Sequence, residues 1–104
     1  MLIELLKFRI APENREKYIQ KDAEIWTTAL AKYPGFLGKE LWINEDDPAE
    51  LVIINRWKTN VQQKSIPSEE ISAINERFDK ELGFSYETVE SSVYQVRKFP
   101  NHNS

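Results

Sequence analysis

Residue types that ordinarily carry covalent or acid–base chemistry are scarce in this 104-residue chain. It has no cysteine, which removes a thiolate nucleophile, a disulfide and any Cys-ligated zinc or iron–sulfur site. Its single histidine, His102, stands in the terminal tail, where a solvated spectator is expected rather than a general base. Two carboxylate pairs occur, Asp46-Asp47 and Glu69-Glu70. The first falls in a turn and the second at a helix start, where capping and the helix dipole account for them. Three isolated glycines build neither a phosphate-binding loop nor a dinucleotide fingerprint, and no motif supports a metal. Lys7, Arg9, Arg56 and Arg97 sit near strand ends, where they either meet an anionic group or pair with acids such as Glu40 and Glu90. Asn55 is left, in the run Ile53-Ile54-Asn55-Arg56-Trp57, two residues before Trp57 and on the same strand face. An amide among such neighbours must find hydrogen-bond partners if it is buried, in local backbone or in a ligand carbonyl.

The elements that position these residues follow from periodicity. Residues 2–10 alternate and are rich in branched and aromatic types, which suits a strand. Glu4 inside that apolar run, with the basic residues after it, argues against a signal peptide. Ala11-Pro12-Glu13 opens a helix, because Pro is tolerated in the first turn and Glu13 and Glu16 complement the positive end of its dipole. Ile19, Ala23, Trp26, Leu30 and Tyr33 are spaced to share one helical face, and Pro34-Gly35 ends the helix. Strands are predicted over 36–44 and 51–58, joined by the polar stretch 45–49, which is too short to cross a sheet and so makes the pair antiparallel. The continuous apolar run Leu51-Val52-Ile53-Ile54 marks a central strand. Thr59 to Gln62 fits a capping box and opens a short helical turn. Ser68 caps the next helix, with Ile71, Ile74, Phe78 and Leu82 on one face and Gly83 as its stop. A more polar last strand over 87–99 reads as a sheet edge, leaving one domain over 1–99 and a frayed tail over 100–104.

The order strand-helix-strand-strand-helix-strand gives an α+β, ferredoxin-like fold: two right-handed crossovers, both helices on one face of a four-stranded antiparallel sheet. Alternation sets Leu51, Ile53 and Trp57 against Val52 and Ile54, Phe36 and Trp42 against Leu37, Leu41 and Ile43, and Leu2, Leu6, Phe8 and Ile10 against Ile3 and Leu5. Both faces are then apolar while the helices shelter one, so a homodimer through the open sheet face is expected unless the 87–99 segment folds over it. Three Trp, four Tyr and five Phe are a heavy aromatic load for one small domain, calling for a well-filled core, a pocket or a partner surface. The formal net charge of -3 with mixed signs argues against nucleic-acid and membrane-surface partners, and no apolar stretch reaches membrane length. A reducing, cytoplasmic location is the expectation without Cys.

Residues 1–99 also resemble the antibiotic-biosynthesis-monooxygenase-like members of the dimeric α+β barrel superfamily. The likeness rests on Tyr33-Pro34-Gly35-Phe36-Leu37-Gly38 after the first helix and on Ile53-Ile54-Asn55-Arg56-Trp57-Lys58-Thr59 ahead of the helix cap. It implies a dimeric barrel with a cleft between each sheet and its helices, holding a flat or hydrophobic small molecule. It also implies that Trp57 lines the cleft. Many relatives place a histidine in the following helix, but residues 61–72 contain none, so haem degradation is not expected.

The pocket candidates are therefore Asn55 and Trp57, with Trp26, Tyr33 and Phe78 as core residues first and far wall second. No catalytic residue is assigned. The function this implies is a cofactor-free monooxygenase acting on a small aromatic or hydrophobic substrate, with Trp57 and Asn55 positioning it and stabilising developing negative charge. The alternatives are a non-catalytic dimer that binds or senses a small ligand, and a purely structural subunit without a cleft.

Overall fold

The structure, a computed structural model, describes residues 1–97. Strand β1, Leu2–Arg9, leads through a 3-10 turn, Pro12–Asn14, into α1, Arg15–Lys21. The helix runs on through a π-helical stretch, Asp22–Thr27, to a last turn, α2, Thr28–Leu30. Strands β2, Phe36–Ile43, and β3, Glu50–Trp57, follow; then α3, Asn60–Lys64, α4, Ser68–Leu82, and β4, Glu87–Gln95. The sheet order is β2-β3-β1-β4, antiparallel at every junction. Each strand-helix-strand unit skips one strand, the α+β, ferredoxin-like arrangement its element order requires.

Local chemistry places most of the boundaries. Thr59 accepts the Gln62 amide at 3.1 Å and starts α3. Gly83, at a φ of 77°, takes the left-handed conformation that closes α4. Its N-cap is Pro67, not Ser68: the extended Pro67 backbone supplies the entry, and its carbonyl accepts from Glu70 and Ile71. At the other end of the chain, β4 stops at Gln95 instead of running on through residues 96–97; the rest of its expected stretch, the boundary at 99/100 and His102 fall on residues 98–104, outside the described ones.

Two expectations about side-chain facing are corrected. Ala23 is exposed, and the buried line of the first helix is Tyr18, Asp22, Ile25 and Leu30. Its last step spans five residues, the widened period of a π-helix, so a stripe extrapolated at helical spacing drifts off the core. In β2, Phe36 faces the helices with Leu41 instead of opposing it. The pairing slips between Phe36 and Gly38, which puts Phe36 across from Trp57 and Gly38 across from Arg56. Such an irregularity reverses the facing of every residue on one side of it.

The core lies between sheet and helices. Phe8, Tyr18, Phe78 and Tyr86 meet mainly edge-on, with Tyr18 5.2 Å from Phe78 and 5.3 Å from Tyr86 between ring centres. Ile10, Ile25, Leu51, Ile53 and Leu82 close around them. A second cluster, Leu2, Leu30, Trp57 and Ile66, packs at the other end of the sheet, and Trp26 touches both. Truncating a side chain as buried as Phe78 costs about 3–5 kcal/mol in such cores.

The remaining face of the sheet carries no helix. Ile3, Leu5, Val52 and Ile54 form its centre, yet Val52 and Ile54 are buried in the single chain. Long charged side chains flank them: Glu40, across from Ile54, pairs with Arg56 at 3.0 Å, and Lys7 lies between Glu50 and Glu90. Trp42, on this face, and Tyr94 remain about half exposed. Strand β4 is paired to β1 as an edge and does not fold over this surface.

Candidate functional site

A cavity of about 900 Å³ opens between the helix-facing side of the sheet and the helices, within the usual size range of small-molecule sites. The strand register builds its floor. Paired residues in an antiparallel sheet share a face, so Lys39 on β2, Asn55 on β3 and Glu4 on β1 stand abreast as one polar row. Apolar rows flank it: Leu41, Ile53 and Leu6 on one side, Phe36, Trp57 and Leu2 on the other. Trp26, Leu30 and Ile66 contribute apolar surface from the helical layer.

Within the row, the Asn55 amide nitrogen donates to Glu4 Oε1 at 3.0 Å. A carboxylate accepts only, which fixes the amide's orientation and leaves Oδ1 as its free end. Asn55 Oδ1 and Trp57 Nε1 are both buried, and neither has a hydrogen-bond partner among the described residues. One is an acceptor and the other a donor, on two side chains that line the cavity. Two orphaned polar atoms so close in sequence need an explanation, and a bound polar molecule supplies one.

The helical layer brings a charge to the same row. Asp22, at the start of the π-helical stretch, accepts from Lys39 Nζ with both carboxylate oxygens, at 3.0 and 2.9 Å. Both side chains are nearly closed to solvent, at 3% and 4% exposure. Burial raises the Asp22 carboxyl above the ordinary carboxylate range, with the nearby ammonium opposing. Above it, burial and a hydrogen bond to Asp79 push the Tyr86 hydroxyl up to about 12, and burial pushes Tyr18 higher still. Among the described residues, no group of three or more His, Asp or Glu residues is disposed to hold a metal ion.

Of the residues singled out in the sequence, the cavity wall thus contains Asn55, Trp57 and Trp26. Phe78 is fully buried in the core, and the Tyr33 hydroxyl donates to Glu70 at 2.7 Å; neither is part of the lining. Arg9 pairs with Asp47 and Arg56 with Glu40, both away from the cavity. Sequence reasoning missed Glu4, Asp22 and Lys39. A signal existed for the two strand residues: Glu4 interrupts the alternation Leu2, Leu6, Phe8, and Lys39 interrupts Leu37, Leu41, Ile43. For Asp22, the π-helical widening hid its place on the buried stripe.

The model for the family described as antibiotic biosynthesis monooxygenase matches residues 1–81. No curated protein matches the chain. Among solved structures, a candidate antibiotic biosynthesis monooxygenase from Deinococcus radiodurans is 15% identical, with a TM-score of 0.68 over 97% of each chain. A second such candidate, from Bordetella bronchiseptica, is 16% identical, with a TM-score of 0.71 over 91% of this chain and 95% of that one. SnoaB, a cofactor-independent oxygenase from Streptomyces nogalater, is 17% identical, with a TM-score of 0.64 over 94% of each chain. At these identities the structures share the fold.

Proposed function

The chain belongs to the antibiotic biosynthesis monooxygenase family, and from that premise we propose that it is a cofactor-independent monooxygenase taking a small aromatic substrate into the sheet–helix cavity. The observation that carries this reading is the pair of orphaned atoms, Asn55 Oδ1 and Trp57 Nε1, on the wall of a largely apolar cavity. A hydroxylated aromatic complements both. Its hydroxyl donates to Asn55 Oδ1, while a ring oxygen that gains negative charge as the substrate is oxidised accepts from the Trp57 N–H. With its nitrogen engaged by Glu4, Asn55 acts as the acceptor, and the donor part falls to Trp57. Trp26 and Trp57 offer flat apolar surface to the ring.

In the simplest such reaction a hydroquinone and dioxygen give a hydroxyquinone and water: the O–O bond breaks, one oxygen atom enters a ring carbon–hydrogen bond, and the two hydroxyl hydrogens leave with the other oxygen as water. The chain's own residues bind, orient and exclude water. We place this activity in a homodimer through the open sheet face and in the cytoplasm. Support comes from the unshielded Trp42 on that face and from the absence, among the described residues, of a helix long and apolar enough to cross a membrane.

Oxygen consumption and product absorbance with a panel of quinols test the reading. Turnover is expected in the purified protein, falling at least about tenfold in Trp57→Phe and Asn55→Ala by the usual cost of a positioned polar group. Full activity in both variants removes the assigned roles. Saturable binding without turnover of any quinol leaves a ligand-binding dimer as the function.

A further inference from the structure

The Lys39–Asp22 pair has no part in the assignments above, although it closes one end of the cavity's polar row. A buried ion pair is a weak source of stability, because desolvating two charges offsets much of their attraction, and an apolar pair often replaces it without loss. This pair does not sit in tight core either. It lines the cavity beside Asn55, and Asp22 is held by a π-helical stretch, a distortion frequent at functional sites. Asp22 takes two bonds from Lys39 Nζ, and an ammonium has three N–H groups, so one donor of Lys39 remains for a further acceptor.

We propose that Asp22 is the proton acceptor for a phenolic ligand in this cavity and that Lys39 is the counter-ion that then holds the phenolate. The step is a proton transfer only: the ligand O–H bond breaks, an Asp22 Oδ–H bond forms, and no electrons are gained or lost. Its physical merit is that the cavity holds one positive and one negative charge before and after. Lys39 exchanges a carboxylate partner for a phenolate, so no new charge is buried. The other ionisable groups about Asp22 suit this role. Tyr18 on α1 and Tyr86 are held protonated by burial, Asp79 on α4 is engaged by Tyr86, and Glu4 on β1 accepts from Asn55. Asp22's raised proton affinity favours acceptance further. An electron-rich phenolate is also the form of such a substrate that dioxygen oxidises most readily. The inference therefore deepens the oxygenase reading and rests on the same cavity.

Proton inventory during binding tests it, with 4-nitrophenol as the probe, since its phenolate absorbs at longer wavelength than the phenol and no turnover is needed. The wild-type protein is titrated below the probe's own pKa, with phenolate followed by absorbance and proton release by calorimetry in buffers of different ionisation enthalpy. Expected is a bound phenolate fraction at least about tenfold above that of the free probe at the same pH, with close to no proton released. In Asp22→Asn the phenolate signal persists on Lys39, but about one proton per bound probe appears in the buffer. In Lys39→Met the bound phenolate signal is lost. Should that variant fail to fold, the wild-type proton count still decides. Phenolate formation with a full proton released from the wild-type protein overturns the role of Asp22. Binding of the neutral phenol alone overturns the whole inference and leaves the oxygenase reading standing. No binding at all overturns both.

Discussion

The asymmetry of the Asn55 amide is set by a single contact, the hydrogen bond to Glu4, and it decides which end meets a ligand. The Asp22–Lys39 pair is the more consequential contact for stability. Lys39→Met leaves a buried carboxylate without its counter-ion, and chemical denaturation is expected to register a loss of about 3–5 kcal/mol. Adding Asp22→Leu to that variant should restore most of the loss, because the pair then becomes apolar; a double variant as unstable as the single one contradicts this account. Asp22 also makes a pH prediction. Its folded-state pKa is raised chiefly by burial, so the folded chain binds its proton more tightly than the unfolded one. The associated stabilisation is fully present below the ordinary carboxylate pKa and is lost as pH rises through the raised value. Carboxyl carbon NMR should find Asp22 titrating above Glu40, Asp47 and Glu81. These are held low mainly by side-chain hydrogen bonds from Trp42, Arg9 and Arg77 respectively. A lower midpoint for Asp22 than for those three refutes the assignment.

Elements in this fold are punctuated by two glycines whose backbone no other residue adopts comfortably. Gly83 closes α4 at a φ of 77°, and an added Cβ there would meet nothing nearer than Lys17 Nζ at 3.7 Å. Gly83→Ala is expected to cost only the left-handed backbone penalty, about 1–2 kcal/mol. Gly35, at a φ of 88°, turns the chain from the first helical layer into β2, and an added Cβ would run into the Gln62 side chain of α3. Gly35→Ala should therefore destabilise more than Gly83→Ala in urea titrations, and equal costs would show that α3 yields freely. The π-helical stretch supplies Asp22 and Trp26 to the cavity wall. It lets Asp22 and Ile25 face inward while Leu30, five residues on, stays on the same line. Its register was hidden in the sequence, since Ile19, Ala23 and Trp26 satisfy ordinary helical spacing equally well.

At the scale of the whole molecule the proposed association runs through the open sheet face. Trp42, tethered to Glu40 through its N–H, presents about half its surface there, beside a strip whose centre the flanking ion pairs already cover. The apolar area is thus narrower than alternation alone predicts, and Trp42 becomes the natural anchor of a paired surface. Sedimentation of the wild-type chain is expected to give a dimer at micromolar concentration. Trp42→Lys should shift it toward monomer with little change in helix and strand content. A monomer at every wild-type concentration sinks the dimer proposal. The cavity lies on the opposite side of the sheet, so ligand binding should survive in the monomeric variant.

Much of this architecture was legible because it is local. Apolar patterning located the first three strands and the helical segments, and polarity marked the last strand as an edge but over too long a span. Gly83 and Thr59 marked a stop and a start, and the apolar run at residues 51–54 put β3 inside the sheet. The sequence by itself also placed Asn55 and Trp57 on one face, since a strand's side chains alternate by covalent geometry alone. Only the tertiary structure decided which groups meet there. The register of three strands aligned Lys39, Asn55 and Glu4, a one-residue slip at Phe36–Gly38 turned Phe36 to the same face, and the helical layer set Asp22 over Lys39. Those events depend on how separate elements pack, and pairing between positions such as 22 and 39 leaves no periodic trace in a single chain.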